Sequence, residues 1–152
     1  MSYLAGPGSK DFVSAVDTTT QNIVTPGTFQ TITFNTNALI NGWTHTVGTD
    51  AFTVPNTGTY FLEGFAEINK TAGADSTFEF RITINGTPVG TVFAERLTTN
   101  GEVKSIAGGG ILPLTAAQVV RVEWTGGANS QIVAPATVGT AKSAALSILR
   151  IG

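Results

Sequence analysis

FTVPNTGTYFLEGFAEI, residues 52–68, reads as the end of one strand, a turn and a second strand. Val54-Pro55-Asn56-Thr57-Gly58 carries the turn: proline closes a strand, and asparagine and glycine tolerate the bend. Beyond it, Tyr60, Leu62, Gly64, Ala66 and Ile68 alternate with Phe61, Glu63, Phe65 and Glu67. In a strand these two sets point to opposite faces. An antiparallel sheet that covers one core with one face normally gives the other to water. Phe61 and Phe65 are too apolar for that, and Glu63 and Glu67 are too polar for a second dry core. A half-polar face set against another protein surface satisfies both.

The same period of two recurs along the chain. In TFEFRITI, Phe78, Phe80, Ile82 and Ile84 oppose Glu79, Arg81 and Thr83. In VVRVEW, Val120, Val122 and Trp124 oppose Arg121 and Glu123, and TFQTITF sets Phe29, Thr31 and Thr33 against Gln30, Ile32 and Phe34. Asn85-Gly86 and Asn100-Gly101 separate such runs and suit tight hairpin turns that need positive φ. Asn41-Gly42 and Gly126-Gly127 punctuate in the same way. No stretch has the length and periodicity of a helix. Short strands at this spacing predict an all-β antiparallel sandwich or barrel.

The chain has 152 residues, enough for one domain with a real core and no metal or disulfide staples. It holds no cysteine, which removes disulfides, thiolate zinc sites and cysteine nucleophiles. Net charge is −2, and the eight Lys and Arg are scattered, so no patch tracks a nucleic-acid backbone. No apolar run reaches membrane-spanning length. MSYLAGPGSKDF lacks the basic start and apolar stretch of a secretory signal, so classical secretion is not expected. Charged residues make up 12% of the chain, roughly half the usual share. Because interface centres are depleted of charge, that scarcity fits a chain covered by copies or neighbours.

Residues that carry chemistry are sparse. His45 is the one histidine and, in WTHT, reads as a surface or loop residue. No serine stands in a G-x-S-x-G elbow, and no glycine-rich loop leads into a helix. Gly108-Gly109-Gly110 lies in strand context, where glycine permits close backbone approach. Glu63 and Glu67 are the only pair that resembles a carboxylate dyad, and a glycosidase would also need a sugar cleft. Asp11, Asp17, Asp50 and Asp75 are too dispersed to predict calcium binding. Neither a catalytic residue nor a cofactor is expected.

Phe52, five residues, then Gly58-x-Tyr60-x-Leu62 resembles the F-x5-G-x-Y signature of C1q-like domains of the C1q/tumour-necrosis-factor superfamily. AGGGILPLTAAQVVRVEW, 107–124, is similar to that family's Gly-Gly strand, turn and next strand, and SAALSILRI, 143–151, to its last strand. The resemblance covers roughly residues 29–151. It departs at Leu62 and Gly64, where the family has aromatics, and at Ala116-Ala117-Gln118, where it has a Gly-acid turn.

The resemblance implies an antiparallel jelly-roll sandwich of about ten strands over residues 11–152, after a flexible arm over 1–10. It also implies a homotrimer whose inner sheets face the threefold axis. Phe61, Glu63, Phe65, Ala107, Gly109, Leu149 and Ile151 would then meet the neighbours, while Tyr60, Leu62, Leu146 and Ile148 fill the sandwich. Arg121 or Arg150 would reach Glu63 or Glu67 across a subunit boundary.

The expected function is that of a non-enzymatic trimeric protein of a surface assembly. The first placement is a phage virion surface, as a capsid decoration (cement) protein or head fibre partnered by the major capsid protein or another virion protein. The alternative is a receptor- or glycan-binding head of a fibre or spore-surface protein. Its ligand loops would hold Trp43, His45 and residues 126–140. Neither nucleic acid nor membrane is an expected partner.

Overall fold

A computed structural model describes residues 10–134 and 141–152. Of the arm expected over residues 1–10, all but Lys10 lies outside the described residues, as does the segment 135–140. The described chain is all-β. Its strands are β1 (Phe12–Asp17), β2 (Gln21–Asn22), β3 (Gln30–Thr31), β4 (Thr36–Asn41), β5 (Phe52–Thr53) and β6 (Gly58–Lys70). After these come β7 (Ser76–Ile84), β8 (Thr87–Leu97), β9 (Val103–Leu114), β10 (Val119–Thr125), β11 (Ser130–Ile132) and β12 (Ala144–Arg150). The described residues form twelve strands where about ten are expected; β2, β3, β5 and β11 are two or three residues long and too short to show a period.

Two sheets face each other. The larger runs β2-β11-β6-β12-β1-β4, with β9 along the other side of β6; the smaller runs β3-β10-β7-β8, with β5 also on β10. Every pairing is antiparallel. Neighbours in the larger sheet are far apart in sequence, with β1 beside β12 and β12 beside β6, which is the jelly-roll arrangement.

The period of two sets the core. Tyr60, Leu62, Ala66 and Ile68 of β6 and Leu146 and Ile148 of β12 are buried. Phe78, Phe80 and Ile82 of β7 and Val120, Val122 and Trp124 of β10 are buried from the other side. Each of the leucine, isoleucine, valine and phenylalanine side chains among them contributes roughly 1.5–3 kcal/mol through burial. Phe78 and Trp124 stack with centroids 6.0 Å apart. Gly64 departs from the family's aromatic because the opposing sheet fills its place: a Cβ there would stand 2.9 Å from Phe80 Cζ.

Turn chemistry follows the sequence where it is strongest. Asn85 and Gly86 both have positive φ, 51° and 80°, as the hairpin joining β7 to β8 requires. Between β8 and β9 only Gly101 is left-handed, at 79°, while the turn between β9 and β10 puts Ala117 at 69°.

TFQTITF forms less strand than its alternation predicts. Ile32 and Phe34 are buried; the Ile32 N–H still donates to the Val122 carbonyl of β10 at 2.9 Å, and Phe34 then bridges to Thr49 instead of β10. The Gln21 side chain takes over: its amide N–H donates to the Thr33 carbonyl at 2.9 Å, and its oxygen accepts the Thr33 N–H at 3.1 Å.

Candidate functional site: the outer face of the larger sheet

β6 is the centre of the larger sheet, and its odd-numbered residues point away from the core. Strand register places Leu149, Phe61 and Ile111 side by side across β12, β6 and β9, and Phe12 of β1 extends the row past Leu149. At the usual strand spacing this four-strand row spans roughly 15 Å. The next row is Ser14, Ser147, Glu63 and Gly109, and the row after it includes Ala145, Phe65 and Ala107. Ile151, just past β12, donates its N–H to the Thr59 carbonyl at 2.8 Å and is 52% exposed.

Six of the seven residues assigned to the inner face (Phe61, Glu63, Phe65, Ala107, Gly109 and Leu149) therefore share one sheet surface. Ile151 continues it. Ile111, at 61% exposure, belongs there too and went unnamed in the sequence, although it continues the alternation of Ala107 and Gly109. Leu39 of β4, exposed and paired with Ser14 of β1, extends the apolar surface toward that edge. Isolated exposed apolar residues need no explanation, but a contiguous patch marks an interaction surface.

Gly109 shapes the centre of the face. A Cβ there would lie 2.0 Å from the Leu62 carbonyl oxygen, so only glycine lets β9 approach β6 this closely. A shallow groove of about 330 Å³ lies here, lined by Phe61, Leu62, Glu63, Ala107 and Gly108–Gly110.

The two glutamates differ. Glu67 accepts a hydrogen bond from the Ser105 hydroxyl at 2.6 Å. Glu63 is exposed and makes neither a side-chain hydrogen bond nor an ion pair among the described residues. Four residues apart on one strand, they are separated by roughly 13 Å, more than the ~5–9.5 Å of a glycosidase pair. Among the described residues no group of three or more His, Cys, Asp and Glu could hold a metal ion.

Arg121 does not lie on this face. It sits on β10 in the other sheet, between core-facing Val120 and Val122, so it projects from the opposite side of the sandwich. There it pairs with Asp50 at 3.3 Å. Arg150 pairs with buried Asp11 at 3.5 Å and donates to the Thr57 carbonyl at 2.9 Å. Within the chain, both arginines hold a carboxylate other than Glu63.

Trp43 and His45 are corrected as well. Both are buried, at 5% and 8% exposure. Trp43 packs edge-on against Tyr60 at 5.5 Å. His45 stacks on Phe52, ring centroids 4.0 Å apart, with Nδ1 against Asn37 Oδ1 and Nε2 3.2 Å from the Thr49 carbonyl. A ligand cannot reach either ring. Of the proposed 126–140 loop, residues 135–140 lie outside the described residues.

Burial lowers the His45 pKa, and the Thr49 carbonyl and the Asp50 charge offset this only in part. The unfolded chain then binds the proton more readily than the folded one, so stability is complete above the ordinary histidine value of about 6.5 and falls as pH drops through it. The melting temperature is expected to decline between about pH 7.5 and 5.5, and His45→Gln to flatten that slope. An unchanged slope in the variant would assign the dependence to another group.

Residues 13–152 match the family described as BclA C-terminal domain. No curated protein matches the chain. Among solved structures, the globular domain of zebrafish complement 1qA is similar with a TM-score of 0.62 at 19% identity, covering 95% of this chain and 98% of that one. Murine APRIL is similar with a TM-score of 0.62 at 10% identity, covering 94% of this chain and 100% of that one. Identities this low carry the fold alone, and the fold is the C1q/TNF-like jelly roll that the Phe52–Leu62 signature resembles.

Proposed function

Since the chain belongs to the BclA C-terminal domain family, we propose that it is a non-enzymatic head domain that assembles as a homotrimer on the surface of a particle. One observation carries this reading: the apolar row Phe12, Leu149, Phe61 and Ile111 lies on the sheet face turned away from the core. Copies of the chain that cover this face remove the row from water at about 25 cal/mol per Å² of apolar surface. The trimer is the assembly that the C1q/TNF-like fold implies.

Two placements fit such a trimer. Capsid decoration or a head fibre of a phage virion, with the major capsid protein as partner, rests on the threefold geometry alone. A head carried at the end of a longer fibre or spore-surface protein also agrees with the family's description as a C-terminal domain, and is the placement favoured here. Glycan recognition through Trp43 and His45 falls away with their burial.

Surface placement is tested by labelling intact particles from the source cell, virions and spores, with an antibody to this chain. Labelling of the outside of one particle type is expected, with the particle staying closed after the protein is stripped. Recovery only in the soluble fraction would contradict the reading.

A further inference from the structure

Self-association through this face would enclose Glu63. The carboxylate stands in the second row of the face, between Gly109 of β9 and Ser147 of β12, with Phe61 and Phe65 two residues to either side on β6. No charged group of its own chain opposes it. On β9 the outward residues Ser105, Ala107, Gly109 and Ile111 carry no charge; on β12 neither do Ala145, Ser147 and Leu149; on β1 and β4 neither do Phe12, Ser14 and Leu39. The remaining ionisable neighbour is Glu67 on β6, held by Ser105 and itself acidic.

A cation from a neighbouring copy is hard to supply. Arg81 pairs with Glu123, Arg96 with Asp75, Arg121 with Asp50, Arg150 with Asp11 and Lys104 with Glu95. Lys70 is buried and donates to the Gly73 and Ala74 carbonyls. Lys10 and Lys142 are left as the described cations without such a partner, and both are exposed.

Taking an ionised carboxylate out of water without a partner is costly, and in a symmetric assembly the equivalent Glu63 groups add mutual repulsion. Protonation of Glu63 removes the repulsion and reduces the desolvation cost to the smaller one of a neutral carboxyl group. We propose that Glu63 makes self-association acid-responsive: closing the face takes protons up onto these carboxylates, so the assembly tightens as pH falls. This rests on the homotrimer reading and extends it to the regulation of the same face. The sign follows from linkage: a state that binds more protons is favoured as pH drops.

The test is sedimentation equilibrium of the wild-type chain and Glu63→Gln at about pH 8 and about pH 5. Glutamine keeps the shape and removes the charge. Wild type is expected to associate at least about tenfold more tightly at the lower pH, a single proton taken up being enough for that change. Glu63→Gln is expected to associate tightly at both. If Glu63→Gln instead weakens association at about pH 8, an intermolecular lysine pairs with the carboxylate and the proposal is overturned. If the variant keeps the wild-type pH dependence, Glu63 is not the responsive group and the proposal also fails. Wild type and variant both monomeric at each pH would contradict the homotrimer reading itself, a distinct outcome.

Discussion

Phe61→Glu is expected to leave the fold intact and reduce the protein to a monomer. Phe61 is 41% exposed in the single chain and points away from the core, while its neighbours Tyr60 and Leu62 are fully buried. The substitution therefore leaves the sandwich interior untouched. In a closed assembly it places a second unpaired carboxylate per copy inside the contact, next to Glu63. An unpaired buried charge costs about 3 kcal/mol or more, which is about a hundredfold in affinity per contact. Light scattering should report the monomer mass, with the thermal unfolding of the single domain otherwise preserved. Arg121→Glu, on the opposite sheet, is the matched control and should leave the assembly unaltered. A Phe61→Glu variant that associates like wild type would show that some other surface holds the copies together.

Gly109→Ala is expected to be strongly destabilising. The added Cβ would meet the Leu62 carbonyl oxygen at 2.0 Å and the Glu63 Cα at 2.9 Å, both backbone atoms of the partner strand. Backbone cannot swing aside as a side chain does, so β9 must separate from β6, the longest pairing in the larger sheet. A loss of about 3 kcal/mol and a melting temperature lower by roughly 6–12 °C are expected. Gly110→Ala sits one residue away, and its added methyl meets nothing within 4 Å. It should lose no more than the ~0.5 kcal/mol usual for a surface substitution. Equal melting of the two variants would contradict the close approach at Gly109.

How far the sequence could be read depends on what kind of order each segment has. β6, β7 and β10 are long enough for alternation to show, and their inward residues form the core as expected. The two-sided character of β6 was visible as well, since Phe61 and Phe65 could not be reconciled with a wet face. Ile111 was missed because Gly109-Gly110 and Pro113 interrupt the pattern around it, although its position two residues past Gly109 marks the same face. Phe12 and Leu39 reach the face only through strand pairing across most of the chain, which no local period encodes.

Alternation along β10 puts Arg121 on its polar side, as the structure does. Which sheet β10 belongs to, and that loop residue Asp50 would hold the guanidinium, are facts of topology. His45 illustrates the opposite problem. WTHT looks like a loop, yet Phe52 and Asn37 arrive from elsewhere to stack on and hydrogen-bond the ring. Short ladders such as β3 and β5 are set by neighbours as well, the glutamine side chain at position 21 standing in where β3 ends.

The most direct test of the account is the native mass of the wild-type chain, measured by light scattering after size exclusion at several pH values between about 5 and 8. The account predicts three times the 15.7 kDa chain mass, with the trimer fraction at a given concentration rising toward the acidic end. A monomer at every pH would contradict it, leaving Phe61, Ile111 and Leu149 as a patch for some other protein.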